Sequence, residues 1–231
     1  MPGLRVVSSL AGRLDAPHVP VGEVRTGGFG GVEPMADWLR TRAPALVVDA
    51  THPFAVQVST HAVAAAGRTD SPLLRLQRPG WRAHERDQWW RVQTLGAAAD
   101  LVPTLGRRPL ITTGRQGLTA FTEHPGCAAL HLLVRCVERP HEPTPRKTTV
   151  LLARGPFTVA SELTLMREHR IDVVVTKDSG GIDTSAKLAA ARALGLPVVL
   201  VDRPTAPSAA TVATVDETLA WVRGHVDGVS R

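Results

Sequence analysis

The stretch LVVDATHPFA, residues Leu46–Ala55, decides the fold class of this chain. It opens with an apolar run typical of a buried strand and leads into Pro53–Gly67, where apolar residues recur at helical spacing. A strand that runs directly into a helix is the building unit of α/β proteins. The junction carries Asp49, Thr51 and His52 where a short glycine turn would suffice, so it is also a candidate functional site.

The same alternation of apolar runs and amphipathic stretches continues along the chain. Continuous apolar strands separated by helices predict a parallel sheet that is covered on both faces. The predicted strands are Arg5–Ser9, Leu46–Ala50, Leu73–Leu76, Leu110–Thr113, Leu130–Val137, Thr149–Ala153, Ile171–Thr176 and Val198–Val201. The predicted helices are Glu33–Arg42, Pro53–Gly67, Gly96–Leu105, Thr158–Arg170, Thr184–Gly195 and Val215–His225.

We therefore expect an α/β protein with two Rossmann-like parallel-sheet sub-domains and a cleft between them. The length of 231 residues is sufficient for one large domain or two small ones. Proline, glycine and arginine concentrate at Pro103–Pro109, which predicts a boundary there. The expected domains are residues 1–105 and 106–231.

Composition narrows the class of partner. The net charge is +6, which favours anionic ligands such as phosphorylated cofactors and polycarboxylates. Basic residues form no run of five, which argues against nucleic-acid binding. The two cysteines and the histidines show no metal-ligand spacing. No apolar run reaches 18 residues and no signal peptide is visible, so we expect a cytoplasmic protein without a membrane span.

Cations cluster where the predicted strands end. In open α/β sheets, ligands bind beyond the carboxyl ends of the strands. Five of six strand–helix junctions carry a cation, and several pair it with glycine, which lets backbone amides approach an anion. This pattern predicts a positive crevice, although strand ends also reach solvent, where basic side chains are common. The cations are Arg13, Arg115, Arg154, Lys177 and Arg203.

Two further segments suggest how ligands are held. The strand end at Ser9–Arg13 offers a hydroxyl and an arginine but no acid. An acid there would bind the ribose 2′-hydroxyl of NAD, whereas arginine accommodates the 2′-phosphate of NADP. The glycine-rich segment Gly27–Gly31 is either a loop over a ligand or a simple turn.

The opening junction has both a structural and a functional interpretation. Pro53 suits the first turn of a helix, which would put Thr51 or His52 at the cap. Asp49 either ties down a neighbouring loop or takes part in catalysis. His52 is a poor cap, and we expect it to donate a hydrogen bond to a carboxylate or to supply a proton. Neither a G-x-S-x-G elbow nor a phosphate-binding P-loop is present.

The assembled motifs resemble the precorrin-6A reductase family of cobalamin biosynthesis over nearly the whole chain. The matching strings, in order, are SSLAGR at Ser8–Arg13, GGFGG at Gly27–Gly31, DATHPFA at Asp49–Ala55, TTGR at Thr112–Arg115, ARGP at Ala153–Pro156 and TKDSGG at Thr176–Gly181.

The resemblance implies NADPH-dependent reduction of one C=C bond of precorrin-6A to give precorrin-6B, without metal or flavin. The substrate is then a tetrapyrrole polycarboxylate, and the cofactor carries the redox chemistry. The candidate catalytic residues are His52 and Asp49. The expected substrate-binding residues are Thr51, His52, Gly28 and Phe29. The expected cofactor-binding residues are Ser9, Gly12, Arg13, Thr113, Gly114, Arg115, Arg154, Lys177, Ser179 and Gly180.

The chain departs from the family in two places. Family members begin with a further strand, a GGT-type turn and a helix, whereas this chain starts at Met1, directly before the strand that leads into SSLAGR. We expect a start assigned too late, and the alternative is a compromised, non-catalytic tetrapyrrole- or nucleotide-binding protein. Asp178 stands where the family commonly has asparagine, so its charge would oppose phosphate unless Lys177 or Arg154 offsets it. A further alternative is that the chain is a different NADP-dependent oxidoreductase.

Overall fold

The computed structural model describes residues 4–10, 21–140, 144–145 and 147–229. They form two compact units. Unit one holds the described residues up to Thr51, together with Ala55–Gln77 and the described residues from Ala206 onward. Unit two holds His52–Phe54 and the described part of Arg78–Thr205.

Unit one contains two small parallel sheets. One pairs β1 (Val7–Leu10) with β2 (Glu23–Thr26). The other has the strand order β11-β4-β3, in which β11 is Thr211–Val212, β4 is Leu73–Leu76 and β3 is Val47–Asp49. The buried face of the second helix consists of small residues, including Ala62 and Ala65, so this helix packs closely against Met35 and Ala36 of the first. The helices are α1 Val32–Arg42, α2 Val56–Arg68 and α7 Val215–Val229.

Unit two is built on one six-stranded sheet in which every paired strand is parallel. The strands are β5 Trp89–Val92, β6 Pro109–Ile111, β7 Leu132–Cys136, β8 Thr148–Leu152, β9 Val173–Lys177 and β10 Val198–Val201. They lie side by side in the order β5-β10-β9-β6-β7-β8. The helices are α3 Leu95–Leu105, α4 Thr119–Thr122, α5 Val159–Glu168 and α6 Ala186–Leu194, with 3-10 turns at Arg115–Gly117 and Pro125–Cys127.

Both faces of this sheet are covered. Side chains alternate across a strand, so Val173 and Val175 pack into the core beneath α3 while Val174 packs into the core beneath α5 and α6. All three valines are fully buried. Two-sided burial explains why these strands are continuous apolar runs. The expected α/β class with parallel sheets is confirmed.

Some predicted bounds differ from the structure. Helix α2 begins at Val56 rather than Pro53, and its cap is Ala55, without a side-chain hydrogen bond. Pro53 and Phe54 instead form a turn, so neither Thr51 nor His52 is a helix cap. Strands β2, β5 and β11 are additional to the predicted set.

The predicted boundary between residues 105 and 106 does not coincide with the two units. Strand β5 precedes that boundary, yet it pairs with β10 in the sheet of unit two. At the other end of the chain, β11 pairs with β4 in unit one. These long-range pairings set the observed division.

Candidate active site

The strand order of unit two creates a reversal point. Strands β7 and β8 lie on one side of β6, whereas β9 and β10 lie on its other side. In open parallel sheets, ligands bind outside the carboxyl ends of the strands at such a reversal. The pairing of β6 with β9 extends to Thr112, whose backbone N–H donates to the Val175 carbonyl at 2.9 Å. The candidate site therefore begins at Thr113.

Thr113 and Gly114 have the properties of a ligand-binding turn. Thr113 is 6% exposed, and its hydroxyl has no hydrogen-bond partner among the residues that the structure describes. A buried polar group without a partner is costly, which is consistent with a ligand atom completing it. Gly114 has a φ of 81°, and a Cβ added there would meet no atom within 4 Å. The backbone at Gly114 is therefore open to close approach by a ligand.

Two other predicted cations lie at the same edge of the sheet. Arg115 follows Gly114 and forms an ion pair with Glu138 at 3.0 Å. Arg154 follows β8, the outermost strand on that side. The carboxyl ends of parallel strands share one edge, so both residues belong to the predicted row of strand-end cations.

The TKDSGG segment follows β9 at the reversal point. The ammonium group of Lys177 lies 5.3 Å from the centre of the Phe54 ring. The hydroxyl of Ser179 contacts that of Thr184 at 3.3 Å. Gly180 has a φ of 63°, and a Cβ there would overlap the carbonyl oxygen of Pro79, so only glycine fits.

Asp178 has a different environment from the one that the sequence suggested. It is 3% exposed. One carboxylate oxygen accepts from the Trp81 backbone N–H at 2.9 Å, and the other accepts from Arg91 at 3.0 Å. The counter-charge that we expected from Lys177 or Arg154 therefore comes, through a direct ion pair, from Arg91.

Two arginines that we did not select as site residues accompany this segment. Arg203 donates to the carbonyl oxygens of Asp178 and Arg78, each at 2.8 Å. Arg78 donates to the Ser179 carbonyl at 2.8 Å. The pKa of Arg203 is lowered, first by burial and then by its cationic neighbours, although Asp178 opposes the shift. Arg203 is one of the strand-end cations that the sequence indicated, although we did not include it among the expected cofactor- or substrate-binding residues.

His52 lies in unit two with these cations. Its Nδ1 accepts the Phe54 backbone N–H at 3.2 Å. Although the residue as a whole is exposed, desolvation of its ring lowers the pKa of His52 to about 4, and repulsion from Arg78, Lys177 and Arg203 adds to the shift. The ring is therefore neutral near pH 7. Because Nδ1 is the acceptor, Nε2 carries the proton, and it can donate that proton to a ligand.

This environment predicts a ligand-dependent titration of His52. Without ligand, the pKa should be about 4. A bound polyanion neutralises the three cations, so the pKa of His52 should rise in the complex. The complex then binds more protons than the free protein, and affinity should increase as pH falls through the raised pKa and level off near pH 4.

Histidine ring signals in NMR spectra, recorded across pH with and without a polycarboxylate, measure both pKa values. The variant His52→Gln identifies the His52 signal by its loss, and His61→Gln is the control, because His61 lies on α2 in unit one. An unliganded pKa near the ordinary 6.5 would contradict the cationic environment.

Asp49 and Thr51 belong to unit one, at the end of β3. Asp49 is buried, and its carboxylate accepts from Arg75 at 3.3 Å and from the Thr51 backbone N–H at 3.1 Å. Burial raises the pKa of Asp49, but hydrogen bonds from Ser59, Thr51 and Arg75 outweigh it, so the net shift is downward. We infer that Asp49 holds the strand-end turn as a fixed carboxylate; a catalytic role for it stays a prediction.

The glycine-rich segment of unit one is organised by Arg25. Its guanidinium donates to the carbonyl oxygens of Gly27 and Gly28 and to the Ser9 hydroxyl. It also stacks on the Phe29 ring at 3.8 Å. These contacts give the segment a defined conformation, while ligand binding by Ser9, Gly28 and Phe29 stays a prediction. The predicted residues Gly12 and Arg13 lie outside the described residues.

Two other kinds of feature, a metal-binding cluster and a membrane-spanning helix, are absent from the described part of the chain. Residues 4–10, 21–140, 144–145 and 147–229 contain no group of three His, Cys, Asp or Glu side chains placed to hold a metal ion. Over the same residues, no helix combines the length and the apolar character that crossing a membrane requires.

Comparison with known proteins places the chain in a family. A family model described as precorrin-6x reductase CbiJ/CobK matches residues 1–223. The precorrin-6A reductase of Rhodococcus erythropolis is 50% identical over 223 residues, which cover 96% of this chain and 89% of that protein. The precorrin-6A reductase of Rhodobacter capsulatus is 41% identical, covering 96% and 88%.

A solved structure described as CobK precorrin-6A reductase superposes with a TM-score of 0.89 at 41% identity. The match covers 95% of this chain and 86% of that one. A similarity that extends through both sequence and fold over nearly the whole chain shows common descent. The chain therefore belongs to the precorrin-6x reductase CbiJ/CobK family.

Proposed function

We propose that this protein reduces precorrin-6A to precorrin-6B with NADPH, by adding hydrogen across one C=C bond of the macrocycle. The observation that carries the proposal is the reversal point of unit two. There the turn at Thr113 and Gly114 shares a sheet edge with Lys177 and Arg203, two of the cations that, after desolvation, lower the pKa of His52. The relatives named precorrin-6A reductase support the choice of substrate.

The residues at this edge fit a phosphate-bearing nucleotide. Thr113 offers a hydroxyl with no hydrogen-bond partner among the described residues, and Gly114 leaves its backbone accessible. Ser179 and Gly180 follow the neighbouring strand β9. Hydroxyls and exposed backbone amides at strand ends are typical phosphate ligands. When bound, the reduced nicotinamide supplies a hydride, and the protein supplies position and charge.

The cationic residues are suited to binding the acidic substrate. A corrin precursor is an acidic macrocycle, so Arg78 and Arg203 provide charge-assisted contacts to its carboxylates, and Lys177, which we expected to bind the cofactor, is the third cation near His52. His52 donates through Nε2 in its neutral form. Once carboxylates offset the three cations, the ring can also take up a proton and deliver it to the substrate.

The direct test combines purified protein, precorrin-6A and either NADPH or NADH. We expect loss of reduced-nicotinamide absorbance together with a mass gain of two hydrogen atoms in the macrocycle, faster with NADPH. Binding of both ligands without turnover would instead support the non-catalytic alternative. Oxidation of NADPH with other unsaturated substrates, but not with precorrin-6A, would favour a different oxidoreductase.

A further inference from the structure

The carboxylate of Asp178 connects three separate parts of unit two. Its own backbone N–H donates to the Val201 carbonyl at 2.9 Å, which fixes the residue at the end of β9. Its side chain accepts from the Trp81 backbone N–H and from the Arg91 guanidinium. Asp178 therefore joins the strand end to the segment after β4 and to the edge strand β5.

Arg91 neutralises this buried carboxylate. It bridges Asp178, at 3.0 Å, and Asp202, which accepts from the Arg91 Nε at 2.6 Å. Burial lowers the pKa of Arg91, but the two carboxylates more than compensate, and the net shift is upward. The cation of the pair stays charged, so the buried side chain of Asp178 has a counter-ion.

The two segments that Asp178 joins fit closely. A Cβ on Gly80 would lie 2.8 Å from an Asp178 carboxylate oxygen. The Trp81 indole N–H donates to the Gly181 carbonyl at 2.9 Å. Residues 78–81 are thus held against residues 178–181, and we call this contact the 78/178 clamp. Arg78 and Arg203, two of the cations that act on His52, donate to backbone carbonyls within the clamp.

We propose that Asp178 is a positioning residue, whose carboxylate closes the 78/178 clamp and thereby holds Arg78 and Arg203 for the acidic substrate. It acts through the Trp81 backbone N–H, which its carboxylate accepts. This inference rests on the proposed function for its kinetic consequence, while the clamp itself is a property of unit two.

The experiment compares Asp178→Ala, Asp178→Asn and the control Asp87→Ala. Asparagine keeps one side-chain oxygen for the Trp81 N–H, whereas alanine keeps none. Asp87 is a matched control because it also carries a buried carboxylate, which pairs with Arg192 at 2.8 Å and accepts the His84 backbone N–H.

We expect Asp178→Ala to raise KM for precorrin-6A about tenfold, the value of one lost hydrogen bond to a charged group, with kcat changed less than about threefold. Asp178→Asn should restore most of the affinity, and Asp87→Ala should leave KM within about twofold. Hydrogen exchange at the Trp81 amide should accelerate in Asp178→Ala alone.

The outcomes separate the two proposals. If the wild-type protein reduces precorrin-6A and KM in Asp178→Ala matches the control, the positioning role is overturned and the function stands. Equal damage from alanine and asparagine also overturns it, because charge rather than clamp closure would be responsible. If the wild-type protein has no activity, the proposed function fails, and the rate of hydrogen exchange at the Trp81 amide tests the clamp. Faster exchange in Asp178→Ala alone supports the clamp, whereas equal exchange in all variants overturns it.

Discussion

Replacing Arg203 with alanine is expected to lower kcat/KM for precorrin-6A about 100-fold, since hydrogen bonds to charged groups contribute about 1.5–3 kcal/mol each. Arg203 anchors two backbone carbonyls and adds positive charge near His52. Its Nη2 is buried without a partner in the described part of the chain. The pKa of His52 should also rise above about 4 in this variant, because one of three repelling cations is removed.

Steady-state kinetics with the purified variant measure the loss in kcat/KM. Arg203→Lys keeps the charge but not the planar fork of donors, so an intermediate loss of about tenfold is expected. Arg107→Ala is the control, since that exposed side chain precedes β6 at the opposite edge of the sheet. Equal kinetics in Arg203→Ala and Arg107→Ala would remove Arg203 from the site.

The second large effect concerns stability. Glu162 on α5 is 1% exposed and accepts from Arg135 of β7 at 2.6 Å. Glu162→Ala leaves a buried cation unpaired, which costs about 3–5 kcal/mol of unfolding free energy. The midpoint of thermal unfolding should then fall by roughly 6–20 °C for a chain of this size. Lys187 interacts electrostatically with both Arg135 and Glu162. The loss of Glu162 therefore also removes a group that raises the pKa of Lys187.

Urea denaturation and calorimetry measure this loss. The matched control is the double variant Arg135→Met/Glu162→Leu, which removes both charges and keeps similar volume. Such replacements are often neutral or stabilising, so its unfolding free energy should stay within about 1 kcal/mol of wild type or exceed it. A Glu162→Ala variant as stable as the double variant would show that the ion pair contributes no stability.

Local pattern was sufficient for most secondary structure. Leu73–Leu76 and Val198–Val201 were predicted with the bounds that the structure has. Strand β5 was missed because it lies at the sheet edge, where Trp90 and Arg91 stay exposed and no continuous apolar run forms. The two-residue strand β11 is too short to carry a periodic signal.

The candidate site shows the same division between local and long-range information. Thr113, Gly114 and Lys177 were predicted because they lie at the ends of recognisable strands, and the structure brings them to one edge at the reversal point. Arg78 also follows a predicted strand, but its importance comes from its contact with the Ser179 backbone, about a hundred residues along the chain. No local pattern indicates such a contact.

The sequence by itself determined the α/β class, the order of most elements and the excess of cations at strand ends, because apolar periodicity and charge are local properties. The tertiary structure alone decided the strand order of the six-stranded sheet, the pairing of Asp178 with Arg91 and the neutral state of His52. Strand order depends on which distant segments bury each other. The pKa of a histidine depends on the desolvation and charges around it, which exist only once the chain is folded.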